Sequence, residues 1–133
     1  MDYKEQVEQV VSTAQFGDLI EFSYPIGYAH WGVYDGDGYV IHFSVAVNVP
    51  KGARVAVSND RHDLEPSPVE EIRKRRDALL DKEFTYKLFT HNCEHFATFV
   101  RSGKAMCNQI PGKPKNKECV ESTQLFSYLV PSS

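Results

Sequence analysis

In the stretch Thr90-His91-Asn92-Cys93-Glu94-His95-Phe96, a cysteine follows a helix-capping residue and a helical apolar pattern follows the cysteine. Asn92 can accept from the open backbone N–H groups of a helix start, which makes Cys93 the first helical residue. The positive end of the helix favours thiolate over thiol at that position. Phe96, Ala97 and Val100 then fall at i+3, i+4 and i+7, giving one apolar face to anchor the helix, and Gly103 suits its C-terminal stop. The geometry is that of a nucleophilic cysteine, and such a cysteine needs a base.

The clearest source of a base is a hairpin. His30-Trp31-Gly32-Val33-Tyr34 and Tyr39-Val40-Ile41-His42-Phe43 flank Asp35-Gly36-Asp37-Gly38, with aromatic and β-branched residues on both sides of an Asp-Gly turn. A loop of Asp35-Gly36-Asp37 sets His30 opposite His42, with Cβ atoms about 4.5–5.5 Å apart. A two-residue loop puts His42 opposite Trp31 and on the wrong face. In the first register one imidazole is a base and the other its orienting partner; the hairpin alone equally allows two unrelated half-exposed histidines. Given the pair, His30 would take the proton from Cys93 and return it to the leaving group, and His42 would hold the His30 ring in one tautomer. The Cys93 N–H and a phenol, Tyr28 or Tyr24, are candidate oxyanion donors.

The bulk of the chain narrows the setting. Its 133 residues are enough for one domain with a real core, and a net charge of −3 gives no general footprint for nucleic acid. No apolar run is long enough to span a bilayer, and Met1-Asp2-Tyr3-Lys4-Glu5 does not start a signal peptide. Three cysteines, at 93, 107 and 119, fit a reducing compartment better than a disulfide framework. Cys107 and Cys119 read as buried structural residues. No CxxC or HxxxH pair is present, so neither a metal site nor a cofactor is expected.

The remaining segments are the scaffold. Residues 1–15 place Val7, Val10, Val11 and Ala14 at helical spacing, an N-terminal helix or arm. Strands are expected at Leu19–Phe22, Ala53–Val57 and Phe84–Leu88. Ser58–Glu65 is polar turn material, with His62 as a solvated loop histidine. Ser67-Pro68-Val69-Glu70 reads as a capping box opening a helix to about Asp81, its buried side made by Val69, Ile72, Leu79 and Leu80. Its Arg73-Lys74-Arg75-Arg76 cluster is either a solvated face or a contact for anionic headgroups. Ile110–Lys117 is a basic linker, and Gln124–Val130 is a tail too short to cross a bilayer. The expected division is one catalytic domain, 1–110, with linker and tail over 111–133.

At these residues the chain resembles a known family. The stretch from His30 through Gly36-Asp37-Gly38-Tyr39 to His42 is similar to the H-box of the lecithin retinol acyltransferase superfamily, and Asn92-Cys93-Glu94-His95-Phe96 to its NC motif. The Gly-Asp-Gly-Tyr turn and the His-Trp pair most resemble the phospholipase A and acyltransferase branch. The likeness spans roughly residues 16–110, with fewer residues between His42 and Val55 than that branch has and with Tyr24 near a position where it often has arginine. It implies an α+β fold, an antiparallel sheet with packed helices of the circularly permuted papain-like, NlpC-like kind. It implies Cys93 as nucleophile, His30 as base and His42 as third member. The implied reaction is acyl transfer from glycerophospholipid through a thioester to water, lysophospholipid or an amine. The expected partners are then a phospholipid substrate and a membrane surface, touched peripherally by a cytoplasmic monomer, with Trp31, Arg73, Arg75 and Arg76 as contacts. A cysteine peptidase or amidase on the same scaffold, and a non-catalytic interaction module, are the competing classes.

Overall fold

The computed structural model of the chain describes residues 2–25, 29–43, 52–62, 64–80, 92–107 and 115–130. Among these the order is α1 (Tyr3–Thr13), β1 (Leu19–Ser23), β2 (Ala29–Gly36), β3 (Tyr39–His42), β4 (Arg54–Val57), α2 (Val69–Leu79), α3 (Cys93–Ser102) and α4 (Lys115–Leu129). The strands form one antiparallel sheet in the order β3-β2-β1-β4. This is an α+β fold. The expected strand at Phe84–Leu88, Tyr28, His91 and the linker over 110–114 lie outside the described residues.

Both faces of the sheet are covered, so the central β1 reads as an apolar run rather than an alternation. On one face Leu19, Trp31 and Val33 pack with Ile72 and Leu79 of α2, Cys93, Phe96, Ala97, Phe99 and Val100 of α3, and Phe126 of α4. On the other, Ile20, Tyr34 and Val55 pack with Val10 of α1. The residues beyond 115, expected as a tail, thus bring Phe126 into the main core. Of the apolar residues of α1 only Val10 is buried; Val7 and Val11 are exposed.

Two expectations on α2 are corrected. Pro68 occupies the N-cap and Ser67 makes no cap; its hydroxyl instead accepts from Arg75 Nη1 at 2.9 Å. The helix ends at Leu79, and only Ile72 and Leu79 are buried, with Val69 50% and Leu80 48% exposed. Val69 is the first helical residue and Leu80 is the extended C-cap, so the two ends of the apolar stripe run past the core contact.

The hairpin register also differs from expectation. His42 lies opposite Gly32, not His30, and the ladder continues Val33↔Ile41, Tyr34↔Val40 and Gly36↔Tyr39. Asp35 is the extra residue of a bulge, and the loop is Asp37-Gly38, both with positive φ as a type I′ turn demands. The shift is two residues, so side-chain parity is kept and His42 stays on the His30 face. Arg76 of α2 holds the bulge through Asp35 at 2.9 Å, and Tyr34 Oη accepts from Gly38 N at 2.8 Å at the tip.

Gly32 is where β3 crosses closest. A methyl group there would stand 2.4 Å from Val40 Cγ1 and 2.9 Å from the Ile41 carbonyl oxygen. Gly32→Ala is therefore expected to lose about 1–3 kcal/mol by overpacking, read as a lowered urea midpoint, and to push His42 away from His30. An unchanged midpoint would show that β3 yields without strain.

Candidate active site

The site is built at one end of the sheet. β2 begins at Ala29, opposite Ser23 at the end of β1, and His30 follows opposite Phe22. The Phe22 ring lies 5.8 Å from that of His30. His42, last residue of β3, reaches diagonally across: His30 Nε2 and His42 Nδ1 share a hydrogen bond of 3.1 Å, with the rings edge to face. Diagonal neighbours on one sheet face are about 7–8 Å apart at the backbone, within reach of long or aromatic side chains. Burial, and then the charge of His42, lower the His30 pKa to about 4; burial lowers that of His42 as well. At neutral pH both rings are uncharged.

Cys93 sits where its local sequence predicts. Asn92 caps α3, its side-chain oxygen accepting from Glu94 N at 3.0 Å and His95 N at 3.1 Å. His95 completes a capping box, its Nδ1 accepting from Asn92 N at 3.3 Å, which makes it a structural residue of the motif. Asn92 Nδ2 donates to Cys107 Sγ at 3.3 Å. Gly103 closes the helix with φ of 82° and its N–H on Phe99 O. Arg101 Nη1 ties the last turn to the Gly17 carbonyl ahead of β1 at 3.0 Å.

The thiol of Cys93 is fully buried, in the cluster that also holds Trp31 and Ala29, the residues on either side of His30. Alternation along β2 turns Trp31 to the α3 side and His30 to the α1 side. Tyr24, just past β1, bridges the two sides: burial, then Cys93, then Tyr3 of α1 push its phenol above its ordinary value. The structure thus brings His30 to His42 and Tyr24 within the electrostatic reach of Cys93, while His30 itself faces the α1 side of β2, across the sheet from the cluster that holds Cys93.

Other expected contacts are engaged elsewhere. Trp31 is 1% exposed and packed in the core, out of reach of a membrane surface. Arg75 donates to Ser67 Oγ and to the Val100 carbonyl and lies over the Phe99 ring, and its burial lowers its pKa. Arg76 pairs with Asp35 and Asp77. Arg73, exposed beside the Phe16 ring, keeps its guanidinium at the surface.

His62, expected in solvent, is buried: its Nε2 lies 2.6 Å from Glu94 Oε2, with both side chains 1% exposed. Its ring packs edge-on against Trp31 at 4.9 Å. The partner is 32 residues away, so no local pattern marks it; the one available signal is that Glu94 follows the nucleophile candidate on a helix buried all round.

With this geometry in place, the family model described as lecithin retinol acyltransferase matches residues 12–59 and 47–106, most of the chain. The chain belongs to that family. Among curated relatives, phospholipase A and acyltransferase 1 of Homo sapiens is 35% identical, with 85% of this chain and 83% of the relative covered. Phospholipase A and acyltransferase 4 of Homo sapiens is 36% identical over 71% and 73%, and phospholipase A and acyltransferase 2 of Homo sapiens 34% over 74% and 76%. The first alignment runs to 140 positions against a chain of 133, so this relative has residues that the present family member lacks.

The neutral imidazoles make a testable demand on stability. On unfolding, His30 regains its ordinary value near 6.5, whereas folded it stays unprotonated down to about 4. The unfolded chain therefore binds more protons in that window, and stability must fall as pH drops from about 6.5 to 4. Urea midpoints measured across the window are expected to decline in wild type and to decline less in His30→Gln. Parallel curves would contradict a depressed His30.

Proposed function

We propose that the chain is a thiol-dependent phospholipase A and acyltransferase, with Cys93 as nucleophile, His30 as base and His42 as the group that orients it. The observation that carries this reading is the hydrogen-bonded His30–His42 pair, with the buried His30 held neutral, in a chain whose Cys93 opens a capped helix. The names of the relatives, phospholipase A and acyltransferase, agree with it. The order of two histidines on strands before a helix-borne cysteine suits a circularly permuted papain-like scaffold.

The reaction needs one of the two tautomers that this hydrogen bond allows. With His30 Nε2–H donating to His42 Nδ1, Nδ1 of His30 is left as the basic nitrogen. For it to take the Cys93 proton, the thiol must turn from the core to the Ala29 end of β2, and the thiolate then attacks an ester carbonyl of a glycerophospholipid. The carbonyl π pair moves onto oxygen, where the Cys93 N–H and the Tyr24 phenol are the donors; a phenol pushed above its ordinary value is protonated and able to donate. Tyr28 is a further candidate donor. Collapse breaks the ester C–O bond, His30 returns the proton to the departing glycerol oxygen, and an acyl thioester remains. His30 then deprotonates the acceptor, which is water, a lysophospholipid hydroxyl or an amine, and the thiol is regenerated. Two neutral histidines keep net charge out of a pocket that must take an acyl chain.

None of the described helices is long and apolar enough to cross a membrane. On this reading a cytoplasmic monomer meets lipid peripherally, with Arg73 as the exposed cation of the α2 cluster. Intact-mass analysis after incubation with phosphatidylcholine vesicles is expected to show an acyl adduct on Cys93, with fatty acid or transacylated lipid as product, and neither in Cys93→Ala. Cleavage of peptide or isopeptide substrates without any lipid product would overturn the assignment.

A further inference from the structure

The mechanism above makes no use of the aromatic ring that lies against the proposed base. Phe22 of β1 is the cross-strand partner of His30 in β2, and its ring stands 5.8 Å from the imidazole at a tilt of 41°. Ring pairs attract at centroid separations of about 4.5–7 Å. Phe22 is also the partner of Val55 in β4, where Val55 N donates to Gln6 Oε1 of α1 at 2.9 Å. Its side chain packs on the cluster of Val10, Ile20, Tyr34 and Val55. The ring beside His30 is therefore held by both neighbouring strands and by the cluster under α1.

One hydrogen bond leaves an imidazole free to swing. The 3.1 Å contact with His42 Nδ1 fixes the Nε2 edge of the His30 ring, but the last side-chain torsion of a histidine is broad. A ring packed against the imidazole narrows that torsion. It also keeps water off, and burial is the first cause that lowers the His30 pKa to about 4, ahead of the charge of His42. The other ionisable groups on this side of the sheet are the phenols of Tyr24, after β1, and Tyr3 of α1, with Lys4, Glu5 and Glu8 of α1 and Arg54 of β4 exposed. Glu21, next to Phe22, is the partner of Trp31 on the other face and pairs with Arg61.

We propose that Phe22 is a positioning residue for His30, its ring holding the plane of the imidazole while His42 holds the edge. This rests on the reading of His30 as the base and adds to it a residue of a strand that the mechanism does not use. A role in packing alone predicts that any apolar residue of the same cluster acts on His30 as Phe22 does. Positioning predicts an effect confined to the ring in contact with the imidazole.

The test is a nuclear magnetic resonance titration of the His30 ring, with the nuclear Overhauser effect between the His30 and His42 rings as the measure of position and circular dichroism as the check on folding. Phe22→Ala is expected to move the His30 titration up by about one pH unit or more and to weaken the effect between the rings. Phe22→Tyr, which keeps the ring, should hold both at wild type. Val57→Ala trims a residue that packs on the same cluster but lies opposite Ile20, away from His30, and should leave both in place. An unmoved His30 in Phe22→Ala, an equal shift in Val57→Ala, or a Phe22→Tyr protein that behaves as Phe22→Ala overturns the proposal. If Phe22→Ala does not fold, Phe22→Leu takes its place with a smaller upward shift expected, and an unmoved His30 there overturns it as well. No lipid enters the measurement, so a missing acyl adduct would refute the acyltransferase reading while the titration is judged separately.

Discussion

Side-chain parity in the β2–β3 hairpin is the constraint on which the site depends. Successive strand residues face opposite ways, so a slip of one residue would carry His42 away from His30 and into the α3 side of the sheet. The hairpin keeps parity by pairing a two-residue Asp37-Gly38 turn with one bulged residue, Asp35. Arg76 clamps the bulge from α2, and the missing side chain of Gly32 lets β3 come close enough for the two rings to meet. A cation expected at a lipid surface is thereby part of what sets the register.

Burial then fixes the electrostatics. Burial keeps His30 neutral down to about 4 and lowers His42 as well, and the acid buried beside Cys93 meets a histidine. Anchoring follows the same economy: α3 is capped at both ends, buried along its length from Cys93 to Val100, and tied by Arg101 to the chain ahead of β1.

Much of this was legible in the sequence because it is local. The Asn92 cap, the apolar face of α3 and the Gly103 stop depend on residues within one helix, and each appears as read. The hairpin and the shared face of its histidines follow from turn chemistry and alternation. What was missed involves distant partners. His62 looks solvated until Glu94, 32 residues on, is folded against it. The bulge at Asp35 depends on Arg76, 41 residues away, and the true cap of α2 depends on Ser67 being drawn off by Arg75. Helical spacing placed Val7 and Val11 in a buried face, but α1 covers its side of the sheet through Val10.

The central claim is that His30 ionises Cys93. It is tested most directly by the single-turnover rate of acyl-thioester formation at Cys93, measured against pH in wild type and in His30→Gln. If His30 is the base, the variant should be slower at neutral pH by about 10²–10⁴-fold, the usual contribution of a general base. It should recover as rising pH ionises the thiol without help. A thioester forming at the wild-type rate and with the wild-type pH profile in His30→Gln would contradict the account.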